Sequence, residues 1–341
     1  METLPPLRFS AIGLNHAHIY GQVNLLLRAG AQIVSFYARE PELASRFAHI
    51  FPQAAQARTA EEILDDPSIP LIVSAGIPVD RAPLGIEVMR RGKDYMSDKP
   101  GFTTLAQLEE ARRVQSETGR IYSICYSEHF ETRSTVHAGE LVKAGAIGRV
   151  VQTIGLGPHR TSLNTRADWF YQREAYGGVL CDIASHQFDQ FLFFTGSTEA
   201  EIVSSQVANY KHPQHLGFED FGDCMARGNG GSGYIRVDWY TPDGLPTWGD
   251  GRLSILGTEG YIELRKYVDI AGRPDGDHLF LVDQKGVNYI NCANKDLPYG
   301  RQLIEDIVHR TETAMPQAHC FLASELALKA EAQAVRLGNL I

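Results

Sequence analysis

No stretch of this 341-residue chain is long and apolar enough to cross a bilayer, and its opening METLPPLRFS lacks the basic segment and apolar run of a secretory leader. A cytoplasmic protein is therefore expected, with no membrane partner. Cysteine is scarce: Cys125, Cys181, Cys224, Cys292 and Cys320 are odd in number and widely spaced, with no C-x-x-C pair. That excludes a disulfide scaffold and fits reduced thiols used as small apolar residues. Positive charge is also in deficit. With 32 Lys+Arg against 41 Asp+Glu the formal charge is -9, so no nucleic-acid partner is expected and a small molecule is the default. Neither a G-x-S-x-G elbow nor a G-x-x-x-x-G-K-[ST] loop occurs, which removes two common hydrolase templates.

The residues present are those of an ordinary globular chain, 43% hydrophobic and 21% charged, and the length points to two domains. In the first third, short apolar runs alternate with amphipathic stretches. LRFSAIG, AQIVSFYA, PLIVSAG, KDYMS and GRIYSICY read as five strands, and the segments between them have helical spacing. This is the pattern of an α/β domain with a doubly wound parallel sheet, which binds ligands beyond the carboxyl ends of its strands. After a helix at TRSTVHAGELVKAG the pattern changes to alternating strands and hairpin turns such as GNGGSG, which predict an α+β domain on a large, mostly antiparallel open sheet. The division is placed at 1–126 and 127–341, with two helices split near Pro316 closing the second part.

Three segments carry candidate chemistry. The first is AIGLNHAHIYGQ, where a strand ends at Gly13 and a helix follows, so backbone N–H groups and the helix dipole can meet a pyrophosphate. Asn15 and His18 stand where the fingerprint's other glycines would be. Asn tolerates positive φ best among non-glycine residues, so Asn15 is expected to make the turn. A plain strand-to-helix turn fits the same residues. After the second strand, FYAREPE has Ala38 at the acidic position that reads NAD ribose and Arg39 beside it, a change that suits the 2′-phosphate of NADP unless Arg39 is simply a solvated loop residue.

The second segment, DYMSDKPGF, places Lys99 at the carboxyl edge of the fourth strand, where it can hold a substrate hydroxyl and stabilise negative charge on its oxygen, or else be solvated. In the third, YGGVLCDIASHQFDQFLFF, Asp182, His186 and Asp189 fall at i, i+4 and i+7 on one helix face. A carboxylate one turn from a histidine fixes its tautomer and raises its basicity, as a general base requires; a polar stripe under a loop is the plain alternative. His16-x-His18 and His212-x-x-His215 each offer two metal ligands without an accompanying zinc pattern, so no metal is expected. Tyr126, Arg160, Arg166, Asp168, Trp169 and Tyr176 are polar and aromatic enough to line a pocket for a hydroxylated ligand.

Together these segments resemble the Gfo/Idh/MocA family of oxidoreductases. The likeness runs along almost the whole chain, with DKP in place of the family's E-K-P and YGGVLCDIASH in place of G-G-G-x-x-x-D-x-x-x-H. The resemblance implies a Rossmann domain that holds NAD or NADP, with Gly13, Asn15, His16, His18, Arg39, Ala75, Pro78, Asp98 and Lys99 along the cofactor. It also implies hydride transfer to or from a secondary alcohol of a sugar, cyclitol or related polyol. His186 would take the hydroxyl proton, Asp182 would orient it and Lys99 would hold the same oxygen. Lys99, Tyr126, Arg160, Asp168, Trp169 and Asp189 would contact substrate. The Lys99–Pro100 peptide is commonly cis in relatives, and the second sheet would form a homodimer or homotetramer. Departures are Asp98 for Glu, no histidine after Pro78, and Glu128 and His129 in SEHF where the family has an arginine-like position. Two alternatives use the same parts: a hydrolase or lyase that oxidises its sugar transiently and recycles the cofactor, and a metabolite sensor without catalysis.

Overall fold

The computed structural model describes residues 6–338. The chain forms two compact units: one runs to Cys125 and takes in Pro298–Phe321, and the other holds Tyr126–Leu297 and the chain from Leu322. Pro298–Phe321, expected with the second domain, thus packs with the first. The cause lies in side chains that hydrophobic period does not weigh. Gly300 lets the helix Tyr299–His309 lie against Leu25 and Ala29; a Cβ there would come within 2.8 Å of Leu25. Arg310 holds Asp94 through two 2.7 Å hydrogen bonds, and the Tyr299 hydroxyl meets Ser123 at 2.7 Å.

In the first unit β1 (Arg8–Ile12), β2 (Gln32–Tyr37), β3 (Ala55–Gln56), β4 (Leu71–Ser74), β5 (Asp94–Asp98) and β6 (Tyr122–Cys125) form a six-stranded parallel sheet in the order β3-β2-β1-β4-β5-β6. This is the expected doubly wound sheet, plus β3, which is too short to show a period. Every position of β4, β5 and β6 is buried, as helices on both faces require. The helix Pro78–Arg90 begins with proline in its first turn and presents Gly85 to the sheet, where a Cβ would meet the rings of Tyr95 and Tyr122 at 2.5 Å. Strand order reverses between β1 and β4, which opens a crevice at their carboxyl ends.

The second unit is built on β7 (Val150–Pro158), β8 (Ala200–Ala208), β9 (Phe221–Gly228), β10 (Ser232–Asp238), β11 (Arg252–Gly257), β12 (Tyr261–Arg265), β13 (His278–Asp283), β14 (Gly286–Asn291) and β15 (Val335–Arg336). The sheet order is β14-β13-β12-β11-β7-β10-β9-β8-β15, and only β7 with β10 and β8 with β15 run parallel. One face buries Val150, Leu253, Ile255, Ile262, Leu264, Leu279 and Leu281 with Ala138 and Phe194 from two helices, Arg133–Lys143 and Ser185–Thr195. The opposite face leaves Ile154, Met225, Leu256, Tyr261 and Tyr289 exposed.

One expected element is broken. Asp182 closes a single turn, Val179–Asp182, and His186 and Asp189 lie on a separate helix, Ser185–Thr195. The Ser185 hydroxyl donates to the Asp182 carbonyl at 2.7 Å, a local bond that competes with continued helix.

Candidate active site

Gly13 leaves β1 at φ 80, a conformation that suits glycine. A Cβ on it would sit 3.0 Å from Ser74 Oγ and 3.1 Å from the Cα of Gly76, so the turns after β1 and β4 meet glycine to glycine. Backbone bonds zip them together: the Ala75 N–H donates to the Gly13 carbonyl at 3.1 Å and the His16 N–H to the Ala75 carbonyl at 2.8 Å. Gly76 therefore provides the close approach that the fingerprint's absent glycines would give, and nothing in residues 11–22 announces it. Asn15 does not take the positive φ expected of it. Its Nδ2 donates instead to Glu40 Oε1 at 2.8 Å, which ties the turn to the residue after Arg39. The helix His18–Arg28 has Ala17 at its N-cap, and its first amides are bonded within the turn: the His18 N–H donates to His16 Nδ1, and the Ile19 and Tyr20 N–H groups to the His16 and Ala17 carbonyls, each at 3.2 Å.

A cleft of about 320 Å³ opens at this edge, with Gly13, Asn15, Gly76, Ala38, Arg39 and Glu40 in its lining. Arg39 is exposed there. Pro78 is buried at the start of its helix.

Beside the turn lies a buried charged knot centred on Asp98. Its Oδ1 is 2.9 Å from His18 Nδ1, while its Oδ2 is 3.1 Å from the Arg81 guanidinium and 3.6 Å from His16 Nδ1. Arg81, only 1% exposed, also donates to the carbonyls of Gly76, Lys99 and Pro100, and so ties the β4 turn to the cis Lys99–Pro100 peptide. Burial pushes the Asp98 pKa up, but His18 and Arg81 outweigh it and hold the carboxyl well below its usual range. Burial, with His18 beside it, holds the His16 imidazole well below its ordinary value. His16, His18 and Asp98 bring potential metal-ligand atoms within 4.8 Å of one another. Two of these atoms also have partners within the protein: Arg81 forms an ion pair with Asp98 Oδ2 at 3.1 Å, and the His18 amide donates to His16 Nδ1 at 3.2 Å. Lys99 itself is buried. Arg81 is the residue that sequence reasoning missed here, because an arginine in an amphipathic helix reads as solvated.

In the second unit Gly177 and Gly178 have φ 90 and φ 99. A Cβ on Gly178 would fall 2.1 Å from the Glu331 carboxyl carbon. Glu219 accepts from the Val179 amide at 2.9 Å and Glu331 from the Leu180 amide at 3.2 Å, with Arg173 bridging both carboxylates. Burial and the neighbouring charge of Glu219 push Glu331 up to about 7, against the pull of Arg173. This clamp presents the turn that ends in Asp182. Asp182 lends its negative charge to Arg166, whose pKa burial lowers. His186 is buried, with the Tyr126 ring edge-on at 6.2 Å.

The remaining expected ligands are dispersed over the second unit. Asp189 is fully buried and pairs with His129 Nδ1 at 2.9 Å, an internal pair instead of an open substrate ligand. Arg160 donates to the carbonyls of Pro242 and Leu245 at 3.0 and 2.6 Å. Asp168 is exposed and Trp169 half-buried at the start of a short 3₁₀ turn. His212 pairs with Asp220 at 3.0 Å, while His215 stacks on Tyr171 at 3.8 Å, so these two histidines serve separate contacts.

Residues 135–263 match the model of the GFO/IDH/MocA C-terminal domain. The chain superimposes on a crystal structure from Erwinia carotovora atroseptica, whose name carries a provisional assignment as an oxidoreductase, with a TM-score of 0.95 and 47% identity over 97% of this chain and 100% of that one. Levoglucosan dehydrogenase in complex with NADH and levoglucosan shares the fold at a TM-score of 0.80 and 18% identity, over 96% of each chain. The scyllo-inositol 2-dehydrogenase (NADP(+)) of Bacillus subtilis is 24% identical over 53% of this chain and 51% of its own length. The matches span 51% to 59% of the length of the curated relatives. By its C-terminal domain and its full-length likeness to the Erwinia protein, the chain belongs to the Gfo/Idh/MocA family.

Proposed function

We propose that the protein is an NAD(P)-dependent oxidoreductase acting on a secondary alcohol of a sugar, cyclitol or related polyol. The observation that carries this is the cleft lined by Gly13, Gly76 and Arg39, at the point where strand order reverses and the turns after β1 and β4 meet glycine to glycine. The residues there fit a dinucleotide: the cleft of about 320 Å³ has room for part of it, and the positive end of the dipole of the helix His18–Arg28 follows closely on Gly13 and Asn15, which line that cleft. A nicotinamide bound at this edge supplies the hydride acceptor or donor. Arg39 beside Ala38 favours NADP, since a guanidinium pairs with a 2′-phosphate.

In this reading His186 takes the hydroxyl proton, Asp182 in the preceding turn helps to orient it, and Lys99 stabilises negative charge developing on the reacting oxygen. The relatives support the substrate class: one is named for an inositol and another holds levoglucosan. The exposed apolar face of the large sheet supports assembly into a homodimer or homotetramer.

The test is a panel of sugars, cyclitols and sugar acids with NAD and with NADP, followed by absorbance of the reduced nicotinamide. His186→Ala is expected to lower turnover by about 10²- to 10⁴-fold while cofactor binding persists. Undiminished turnover in that variant would overturn the proton-transfer role. Sugar cleavage without net change in reduced cofactor would replace the dehydrogenase with the recycling hydrolase.

A further inference from the structure

The helix that carries His186 is anchored by a buried ion pair that the proposed chemistry does not use. Lys266, whose side chain has no exposed surface, places Nζ 2.7 Å from Glu128 Oε2 and donates at 2.7 Å to Gln190 Oε1. Gln190 Nε2 in turn donates at 2.8 Å to the backbone carbonyl of His186. Gln187, the residue after His186, donates from Nε2 to the same Glu128 oxygen at 3.0 Å. Two side chains, Gln187 and Gln190, thus connect the pair to both ends of one helical turn, with His186 at its start.

Glu128 Oε1 is buried and has no hydrogen-bond partner among the described residues, so half of this carboxylate is held in place by nothing but its surroundings. Leaving such an oxygen dry is costly unless charge nearby compensates for it. The groups that face it are Lys266, His186 and His159, whose pull outweighs burial and holds the Glu128 carboxyl well below its ordinary range, together with Tyr267, whose hydroxyl burial and the Glu128 charge push up. Tyr126 flanks His186, and His129 is paired away with Asp189. The helix is also seated closely on β7: a Cβ on Gly155 or Gly157 would meet the Gln187 amide at 2.8 or 2.9 Å. The arrangement has little room to drift.

We propose that the buried Glu128–Lys266 pair is a positioning device for His186, which fixes its helical turn through Gln187 and Gln190 and sets the electric field in which its imidazole gains and loses a proton. The inference rests on His186 as the proton-transfer residue, and it assigns to Glu128 the orienting and tuning role that sequence spacing gave to Asp182. Glu128 raises the proton affinity of the imidazole and Lys266 lowers it, so removal of either charge has the opposite effect.

The experiment is an NMR pH titration of the histidine side chains in the full chain, with the His186 signal identified by its loss in His186→Asn. In Glu128→Gln the midpoint is expected to fall by about one pH unit, and in Lys266→Met to rise by a similar amount. Should a single variant fail to fold, Glu128→Gln/Lys266→Met leaves no unpaired buried charge, and its midpoint is expected to return close to that of the parent. Midpoints that stay fixed in both single variants, or shift the same way, or a double variant that keeps a single variant's displacement, would overturn the proposal. Full turnover in His186→Ala with opposite NMR shifts would instead defeat the proton-transfer reading and leave the field of the pair established.

Discussion

At the scale of single residues, Asp98 and Arg81 decide how the crevice is held. Asp98→Asn leaves a buried guanidinium without its carboxylate, a loss of about 3–5 kcal/mol near neutral pH. Because the fold depresses the Asp98 pKa, its stabilisation is present above the ordinary Asp value of 3.8 and is lost as pH falls through the lower folded value. Urea unfolding is therefore expected to show a large deficit for Asp98→Asn at neutral pH that shrinks under acid, when the parent protein loses the same charge. A constant deficit would mean that the ion pair is not its source. Arg39→Ala tests cofactor choice: NADP binding is expected to weaken by about tenfold or more, roughly 1.4 kcal/mol, with NAD little affected in a direct titration. Short ordered motifs single out Lys99 and His186 as candidates in the sequence, and the structure buries both. Arg81 and Gly76 were not legible there, because their partners lie on other turns and only folding brings them together.

Among the elements, the turn through Gly178 has little tolerance for a side chain. Gly178→Ala puts a methyl onto Glu331 at φ 99, which an L-residue rarely adopts, so a destabilisation of about 2–4 kcal/mol is expected in thermal or urea unfolding. Glu331 gives the clamp a pH dependence of its own. Its folded pKa of about 7 lies above its ordinary 4.5, so the native state holds a proton that the unfolded chain has released. Its contribution is complete below 4.5 and is lost as pH rises through about 7. Glu331→Gln is expected to flatten the decline of Tm across that interval, and an unchanged slope would remove Glu331 as its cause. Hydrophobic period located the longer strands of both sheets, but not the two-residue, exposed β3 and β15, the latter falling where the sequence reads as a helical tail. It joined Val179–Asp182 to Ser185–Thr195 because a serine closing a carbonyl has no periodic signature. The spacing of Asp182 and His186 was thus read correctly along the chain and wrongly in geometry.

For the whole molecule, the doubly wound sheet and the open nine-stranded sheet follow from the change of hydrophobic period after the first third of the chain. The return of Pro298–Phe321 to the first unit does not, since it depends on Gly300, Arg310 and Tyr299 finding distant partners. The exposed row of Ile154, Met225 and Leu256 on the large sheet predicts assembly through that face. Lysine substitutions at Ile154 and Met225 are expected to convert an oligomer to a smaller species in sedimentation, and an unchanged distribution would locate the contact elsewhere. The central claim is that this fold moves hydride to or from a polyol, with His186 handling the proton. The direct measurement is formation of reduced nicotinamide by the full chain and by His186→Ala across a panel of sugars and cyclitols. The account predicts stoichiometric reduction with at least one substrate, reduced by about 10²-fold or more in the variant although cofactor still binds. Cofactor binding followed by equal turnover in the two proteins, or by none on any polyol, would contradict it.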